Sequence, residues 1–117
     1  MKKVLIIDND RDTLYILGEI AKMSMAEVVL RSNVIPIKEI EEINPGLIFL
    51  DHLLGLHLGG DFCLEIKQNE ATKEIPVILF SCQDGIGKIA MDSWADGALE
   101  KPFELDEILA VIDTHLN

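Results

Sequence analysis

The chain has 117 residues, of which 49% are hydrophobic and 26% are charged, and this size and composition fit one globular domain. Lysine and arginine total 10, aspartate and glutamate total 21, and the formal net charge is therefore −11. Because nucleic acids and anionic lipid surfaces attract proteins with an excess of basic residues, this balance argues against direct binding to either.

The amino-terminal segment resembles a secretory signal only superficially. Its apolar run, residues 4–7, is too short and ends directly at the polar residues 8–10. No stretch of the sequence approaches the ~20 apolar residues that a membrane-spanning helix needs. Two cysteines, Cys63 and Cys82, are too few for a disulfide scaffold and lack metal-ligand spacing. We therefore expect a cytoplasmic protein in which both cysteines are free thiols in the core.

Short apolar segments alternate with segments of helical spacing along the chain. The predicted strands are residues 3–7, 26–30, 47–50, 77–80 and 98–100. The apolar positions of the five predicted helices are Leu14, Ile16, Leu17, Ile20 and Ala21; Ile37, Ile40 and Ile43; Phe62 and Ile66; Ile86, Ile89 and Ala90; and Leu105, Ile108, Leu109, Ile112 and Leu116. Strands that are apolar on both faces are typical of a buried parallel sheet. This alternation predicts an α/β fold with a doubly wound, five-stranded parallel sheet.

Turn-forming residues separate these elements. Residues 44–46, Asn-Pro-Gly, end the second predicted helix, and residues 75–76, Ile-Pro, precede the fourth strand. Gly55, Gly59 and Gly60 predict a long loop after the third strand. Because no linker, repeat or low-complexity tract interrupts the sequence, we expect residues 1–117 to form a single domain, with no second domain in this chain.

Polar side chains follow four of the five predicted strands at the point where each strand ends. These residues are Asp8, Asn9 and Asp10 after the first strand, Asp51 after the third, Ser81 after the fourth and Lys101 after the fifth. Ligands of an open α/β sheet bind outside the carboxyl ends of the strands, so we expect all of these residues at one edge. Asp8 and Asp51 would lie on neighbouring strands, and two close carboxylates favour a hard divalent cation such as Mg²⁺. A lysine and a hydroxyl beside them suit the oxygens of a phosphoryl group.

The order of these residues resembles that of a response-regulator receiver domain of the CheY-like family. The matching segments read VLIID at 4–8, LIFLD at 47–51, VILFS at 77–81 and EKPF at 100–103. The resemblance extends from residue 2 to about residue 116, and the Lys-Pro-Phe sequence after a short strand is its most specific part. It implies the flavodoxin-like strand order 2-1-3-4-5 with five helices.

The resemblance implies phosphotransfer with a bound Mg²⁺ ion. Asp51 would accept a phosphoryl group from a phosphohistidine of a sensor histidine kinase or a histidine phosphotransfer protein. Asp8, Asn9, Asp51 and the backbone carbonyl of Leu53 would hold the Mg²⁺, with Asp10 as a further candidate ligand. Such a domain catalyses only its own phosphorylation and slow dephosphorylation, so it is not an enzyme acting on a separate substrate.

Two further residues would complete the phosphoryl site. The resemblance implies that Lys101 contacts the phosphoryl group and that the Ser81 hydroxyl bonds to it after transfer. The resulting conformational change would reach a downstream protein target. The partners implied are therefore proteins, with no nucleic acid and no membrane.

Asn9 and Ala98 depart from the family pattern, and two further residues occupy positions that tune the chemistry. Receivers usually have two consecutive acids after the first strand, and the second here is Asn9, so we expect weaker Mg²⁺ binding with phosphorylation retained. The family's aromatic switch residue, three positions before the lysine, is Ala98, so any output must use another element. Leu53 and Gln83 stand where the family tunes hydrolysis. Because an apolar Leu53 cannot orient an attacking water, we predict a long-lived phosphorylated form.

A second interpretation keeps the fold without the chemistry. Asn9 and Ala98 favour a degenerate pseudo-receiver that acts as a phosphorylation-independent protein-interaction module. Asp51, Ser81 and Lys101 are intact and favour the phosphorylated receiver, which we take as the main interpretation. A homodimer formed through the last helix and strand is an open alternative under both interpretations.

Two further acidic patterns match known motifs only in part. A calcium-binding loop would use Asp8, Asp10, Asp12 and Glu19, but Thr13 stands where that loop needs glycine. Aspartyl-phosphate hydrolases have a second acid two residues after the first, as in Asp10, but the threonine expected two residues later is Asp12. We therefore prefer the receiver interpretation to both.

The histidines and the tryptophan have no assigned role in this scheme. His52, His57 and His115 lack ligand spacing, and we interpret them as solvent-exposed polar residues. Trp94, near the end of the fourth predicted helix, would anchor a partner if it were exposed and would belong to the core if it were buried.

Overall fold

A computed structural model of the chain describes residues 2–82 and 84–116. The elements in chain order are β1 (Lys3–Ile7), α1 (Arg11–Met23), β2 (Glu27–Arg31), α2 (Ile37–Ile43), β3 (Leu47–Asp51), β4 (Leu53–Leu54), β5 (His57–Leu58), α3 (Gly59–Lys67), β6 (Val77–Ser81), α4 (Ile86–Asp92), β7 (Gly97–Glu100) and α5 (Leu105–Leu116). The five long strands form one parallel sheet in the order β2-β1-β3-β6-β7. When only these strands are counted, the order is 2-1-3-4-5, which confirms the predicted fold.

The strands are apolar throughout because helices cover both faces of the sheet. In β1, Leu5 and Ile7 pack in the core beneath α2, α3 and α4, whereas Val4 and Ile6 pack in the core beneath α1 and α5. Successive side chains of a strand point to opposite faces, so a strand covered on both faces needs apolar residues at every position. Two separate apolar layers therefore hold the sheet between the helices.

Helix α1 buries a narrower face than the sequence predicted. Leu14, Leu17 and Ala21 are buried against the sheet, as predicted, but Ile16 lies on the solvent side and is mostly exposed. Ile16 precedes Leu17 by one residue and is therefore turned about 100° around the helix axis from it. The predicted apolar face was wrong at this one position.

The segment after β3 is a tight hairpin, not the long and loose loop that the glycines predicted. Strands β4 and β5 pair antiparallel, and the chain turns between them at Gly55, whose φ is 66°. Glycine adopts this left-handed conformation without the steric cost that a side chain would add. Gly59 and Gly60 already belong to α3. Strands of two residues have no recognisable periodicity, which is why the sequence pattern did not predict them.

The two cysteines occupy different environments. Cys63 is buried in the core on α3, and this burial raises the pKa of its thiol to about 11. Cys82 is exposed, because β6 ends one residue before it. Both are free thiols, as predicted, but the prediction of a core position was wrong for Cys82.

The tryptophan of this chain lies at the surface. Trp94 follows α4 and is 58% exposed, so of the two alternatives for this residue the exposed one is correct.

Among the described residues, no helix combines the length and the apolar character needed to cross a membrane.

Candidate functional site

Two aspartates are placed side by side by the register of the central strands. Ile7 of β1 pairs with Leu50 of β3, so Asp8 and Asp51, which follow them, meet at the carboxyl edge of the sheet. Asp8 is 0% exposed and Asp51 is 4% exposed, and the Asp8 carboxylate lies close enough to Asp51 to raise its pKa. Two buried carboxyl groups that lie side by side cannot both ionise unless a positive charge lies nearby.

Lys101 supplies positive charge to this pair. Its backbone N–H donates to the Ser81 carbonyl at 2.9 Å, which fixes the end of β7 beside the end of β6. Its Nζ lies 3.1 Å from Oδ2 of Asp8 and 3.7 Å from Oδ1 of Asp51. The same Nζ lies 5.1 Å from the centre of the Phe80 ring, which favours a cation at this place. One ammonium group therefore faces two carboxyl groups.

The proton affinity of Asp51 reflects this imbalance of charge. Burial and the neighbouring Asp8 carboxylate raise the pKa of Asp51 to about 7, although the Lys101 ammonium and the Leu53 backbone N–H act in the opposite direction. Burial and like charge both disfavour the ionised form, whereas a cation and a hydrogen-bond donor favour it. The positive charge of Lys101 alone therefore does not neutralise the two carboxylates when both are ionised.

The residues present fit a hard divalent cation. The two carboxyl groups offer oxygen ligands; Asn9 directly follows Asp8, and Leu53 lies two residues after Asp51. Within the described part of the chain, no three histidine, cysteine or acidic side chains converge on a point. A site of two carboxylates completed by neutral oxygens and waters is the kind that Mg²⁺ prefers, and not the kind that zinc prefers.

The other predicted residues surround the carboxylate pair. Ser81 is buried at the end of β6, and Asn9 is exposed beside Asp8. Leu53 begins β4 two residues after Asp51, and its side chain is 44% exposed at the same edge. The structure therefore brings Asp8, Asp51 and Lys101 into contact and places Ser81, Asn9 and Leu53 next to them.

Asp10 has a structural role at this edge. It is the N-cap of α1, and its carboxylate accepts hydrogen bonds from the Asp12 N–H at 3.3 Å and from the Thr13 hydroxyl at 2.7 Å. The bond from Thr13 lowers the pKa of Asp10. Its own N–H donates to Oδ1 of Asp8 at 2.8 Å. Both carboxylate oxygens of Asp10 thus accept hydrogen bonds from the first turn of α1. Asp10 contacts Asp8 through its backbone N–H.

Ala98 and Gln83 are the two residues predicted to modulate the site. Ala98 lies in β7, pairs with Leu79 and packs at the margin of the core. Its side chain is a single methyl group, so no ring at this position can swing between two orientations. Gln83 lies outside the described residues.

His52 is the residue that the sequence interpretation placed wrongly. It was predicted to be solvent-exposed, but it is buried, and its Nδ1 accepts a hydrogen bond from the Gly60 N–H at 3.1 Å. Burial lowers the pKa of the imidazole, and the Asp61 carboxylate opposes this. The adjacent glycines at 59–60 were the available signal, because a residue without a side chain leaves space for a neighbouring ring. His57 is exposed, as predicted, and His115 is partly exposed.

Two known proteins are similar to this chain over almost its whole length. Protein PilG of Pseudomonas aeruginosa is 29% identical over 97% of this chain and 87% of its own length. The DNA-binding dual master transcriptional regulator RpaA of Synechocystis is 32% identical over 94% of this chain, which spans only 47% of RpaA.

Solved structures show the same fold. A putative response regulator from Chloroflexus aurantiacus superposes with a TM-score of 0.88 at 22% identity, covering 98% of this chain and 97% of that one. A two-component response regulator from Clostridium difficile has a TM-score of 0.82 at 26% identity, with 99% and 96% covered. The sequence model of the response regulator receiver domain matches residues 4–113. With this match and the carboxylate pair at the sheet edge, the chain belongs to the receiver domain family of two-component response regulators.

Proposed function

We propose that Asp51 accepts a phosphoryl group from a phosphohistidine of a sensor histidine kinase or a histidine phosphotransfer protein. The observation that carries this proposal is the buried pair of Asp8 and Asp51 facing the ammonium group of Lys101. Such a pair suits a divalent cation and, with it, a phosphoryl group. A downstream protein receives the signal, and we place the exchange in the cytoplasm, the compartment predicted from the sequence.

The transfer exchanges one bond to phosphorus for another. An ionised Asp51 oxygen attacks the phosphorus atom, the P–O bond forms, and the P–N bond to the donor imidazole breaks with its electron pair leaving on nitrogen. Asp8, Asp51, Asn9 and the Leu53 carbonyl would hold Mg²⁺, which would supply the positive charge that carboxylates and phosphoryl oxygens need at one site. The chain itself mainly positions the reacting groups, which is the larger part of catalysis in phosphoryl transfer.

Lys101 and Ser81 act on the phosphoryl group after it arrives. The Lys101 Nζ already lies 3.7 Å from Oδ1 of Asp51, so an oxygen of a phosphoryl group bonded to Asp51 falls within its reach. Charge-assisted hydrogen bonds of this kind are stronger than neutral ones. The Ser81 hydroxyl, on the neighbouring strand, would donate to a second phosphoryl oxygen.

Mass spectrometry after incubation with acetyl phosphate and Mg²⁺ tests the proposed function. Wild-type protein is expected to gain one phosphoryl group, and Asp51→Ala is expected to gain none. Asp106→Ala serves as the control, because it removes an exposed carboxylate in the first turn of α5, outside the residues assigned to the site. A wild-type protein that stays unmodified at saturating Mg²⁺ would reject phosphotransfer and leave the pseudo-receiver.

The lifetime of the phosphorylated form is expected to depend on Leu53. Its side chain lies at the mouth of the site and is apolar, so it cannot hold a water in line with the phosphorus atom. Leu53→Asn supplies a polar group there and should speed dephosphorylation at least about threefold. Phosphoprotein gel electrophoresis over time measures the rate. Leu56→Asn makes the same chemical change at the fully exposed tip of the hairpin and should leave the rate unchanged; equal rates for all three proteins would refute the role of Leu53.

A further inference from the structure

His52 connects the end of β3 to two other elements. It follows Asp51 directly, and its backbone N–H donates to the Phe80 carbonyl of β6 at 3.0 Å. Its carbonyl accepts from the Gly59 N–H at 2.6 Å, and its imidazole Nδ1 accepts from the Gly60 N–H at 3.1 Å. The residue after Asp51 is therefore held by β6 and by the first turn of α3.

Gly60, which donates to the imidazole, also lies against the end of α4. A Cβ atom added to Gly60 would lie 2.8 Å from Oγ of Ser93, 3.2 Å from Cγ2 of Ile89 and 3.3 Å from Cε1 of His52. His52, α3 and the last turn of α4 thus converge on a point that has no room for one methyl group. Contacts packed this densely pass a displacement on to their neighbours instead of absorbing it.

We propose that His52 is a positioning residue that couples the state of Asp51 to α4, through its hydrogen bond to Gly60, the residue of α3 that lies against Ser93 and Ile89. This inference rests on the proposed phosphorylation of Asp51. A phosphoryl group enlarges the side chain that precedes His52 and draws Lys101 and the strand ends around it. The displaced end of β3 then moves the imidazole, and with it the first turn of α3 and the last turn of α4. Ala98, whose side chain is one methyl group, plays no part in this coupling.

The chain carries its own reporter for this movement. Trp94 is the one tryptophan in the sequence, and it directly follows Ser93. It is 58% exposed, and its backbone N–H donates to the Met91 carbonyl of α4 at 3.2 Å. Its indole emission therefore responds to the position of the last turn of α4.

The test compares wild type with two substitutions at His52. His52→Leu keeps an apolar side chain of similar size but removes the acceptor, whereas His52→Asn keeps an acceptor at the position of Nδ1. Each protein is incubated with acetyl phosphate and Mg²⁺; mass spectrometry measures phosphate on Asp51, and fluorescence measures the change in Trp94 emission. At equal phosphorylation, His52→Leu should show at least about a threefold smaller emission change than wild type. His52→Asn should restore most of the change.

Ile89→Ala removes the α4 side of the same contact. It tests the coupling even if His52→Leu does not fold. It should also reduce the emission change, while Lys88→Ala, whose side chain pairs with Asp92 at the surface, should not. A full emission change in phosphorylated His52→Leu or Ile89→Ala would overturn the coupling, and so would equal losses in His52→Leu and His52→Asn. Absence of phosphate from wild type would instead reject the proposed function, and the coupling with it.

Discussion

Replacing Gly59 with alanine is expected to destabilise the fold by about 3–5 kcal/mol. The added Cβ would overlap the carbonyl oxygen of Asp51 and would lie 2.8 Å from the Cα of His52. Both are backbone atoms, which cannot rotate away as a side chain can. The Gly59 N–H also donates to the His52 carbonyl at 2.6 Å, so the two segments cannot separate without losing this bond. Urea unfolding followed by far-ultraviolet circular dichroism measures the free energy of unfolding.

Gly87→Ala is the matched control for this substitution. Gly87 lies in α4, is exposed, and has no atom within 4 Å of the position of a Cβ. Alanine is a better helix former than glycine, so this variant should be more stable by about 0.5–1 kcal/mol. A Gly59→Ala protein as stable as wild type would contradict the close approach of α3 to the end of β3.

Without divalent cations, the stability of the protein is expected to decrease as the pH rises from about 4 to about 7 because of Asp51. The ordinary pKa of an aspartate side chain is 3.8, and in the folded chain the pKa of Asp51 is raised to about 7. Within this window the folded state holds a proton that the unfolded state has lost, so the contribution is present at the acidic end and is lost as the pH rises through the folded pKa. The loss amounts to at most about 4 kcal/mol, the free energy that corresponds to this difference in pKa.

Mg²⁺ should reverse the trend, because it binds the ionised carboxylates and stabilises the folded state by an amount that grows with the ratio of its concentration to its Kd. The rise in Tm on adding Mg²⁺ should therefore be larger at pH 7.5 than at pH 5, as measured by differential scanning calorimetry. Asp51→Asn isolates the effect from the other acidic residues, since it removes the titrating group with little change of shape. Wild-type and Asp51→Asn stabilities that run parallel between pH 4 and pH 7 would refute the raised pKa.

Local sequence patterns predicted most of the fold. Unbroken apolar runs such as 4–7 and 47–50 predicted strands buried on both faces, and the spacing of Leu14, Leu17 and Ala21 predicted the inner face of α1. These predictions succeeded because burial of a strand or a helix face leaves a periodic signal in a short window. The two-residue strands β4 and β5 leave none, and the hairpin was accordingly missed.

The sequence predicted which residues form the candidate site and that Asp8 and Asp51 are neighbours, but it did not predict the individual hydrogen bonds. That polar residues follow successive strands and therefore meet at one edge is a consequence of parallel topology, so Asp8, Asp51, Ser81 and Lys101 were all named from the sequence. The assignment of Asp10 as a candidate metal ligand did not foresee that both of its oxygens cap α1. Capping depends on which way a side chain turns after the strand, and spacing alone does not give that direction.

The order of residues along this chain was enough to establish the alternation of strands and helices and the identity of the polar residues at the strand ends, because both depend on contacts within one element. The burial of His52, the position of its Nδ1 beside Gly60 and the raised pKa of Asp51 depend on atoms brought together from separate elements. Lys101 lies 93 positions after Asp8 along the chain, yet its Nζ is 3.1 Å from that carboxylate. Distances of this kind, and the charge balance that they set, exist only once the sheet has formed.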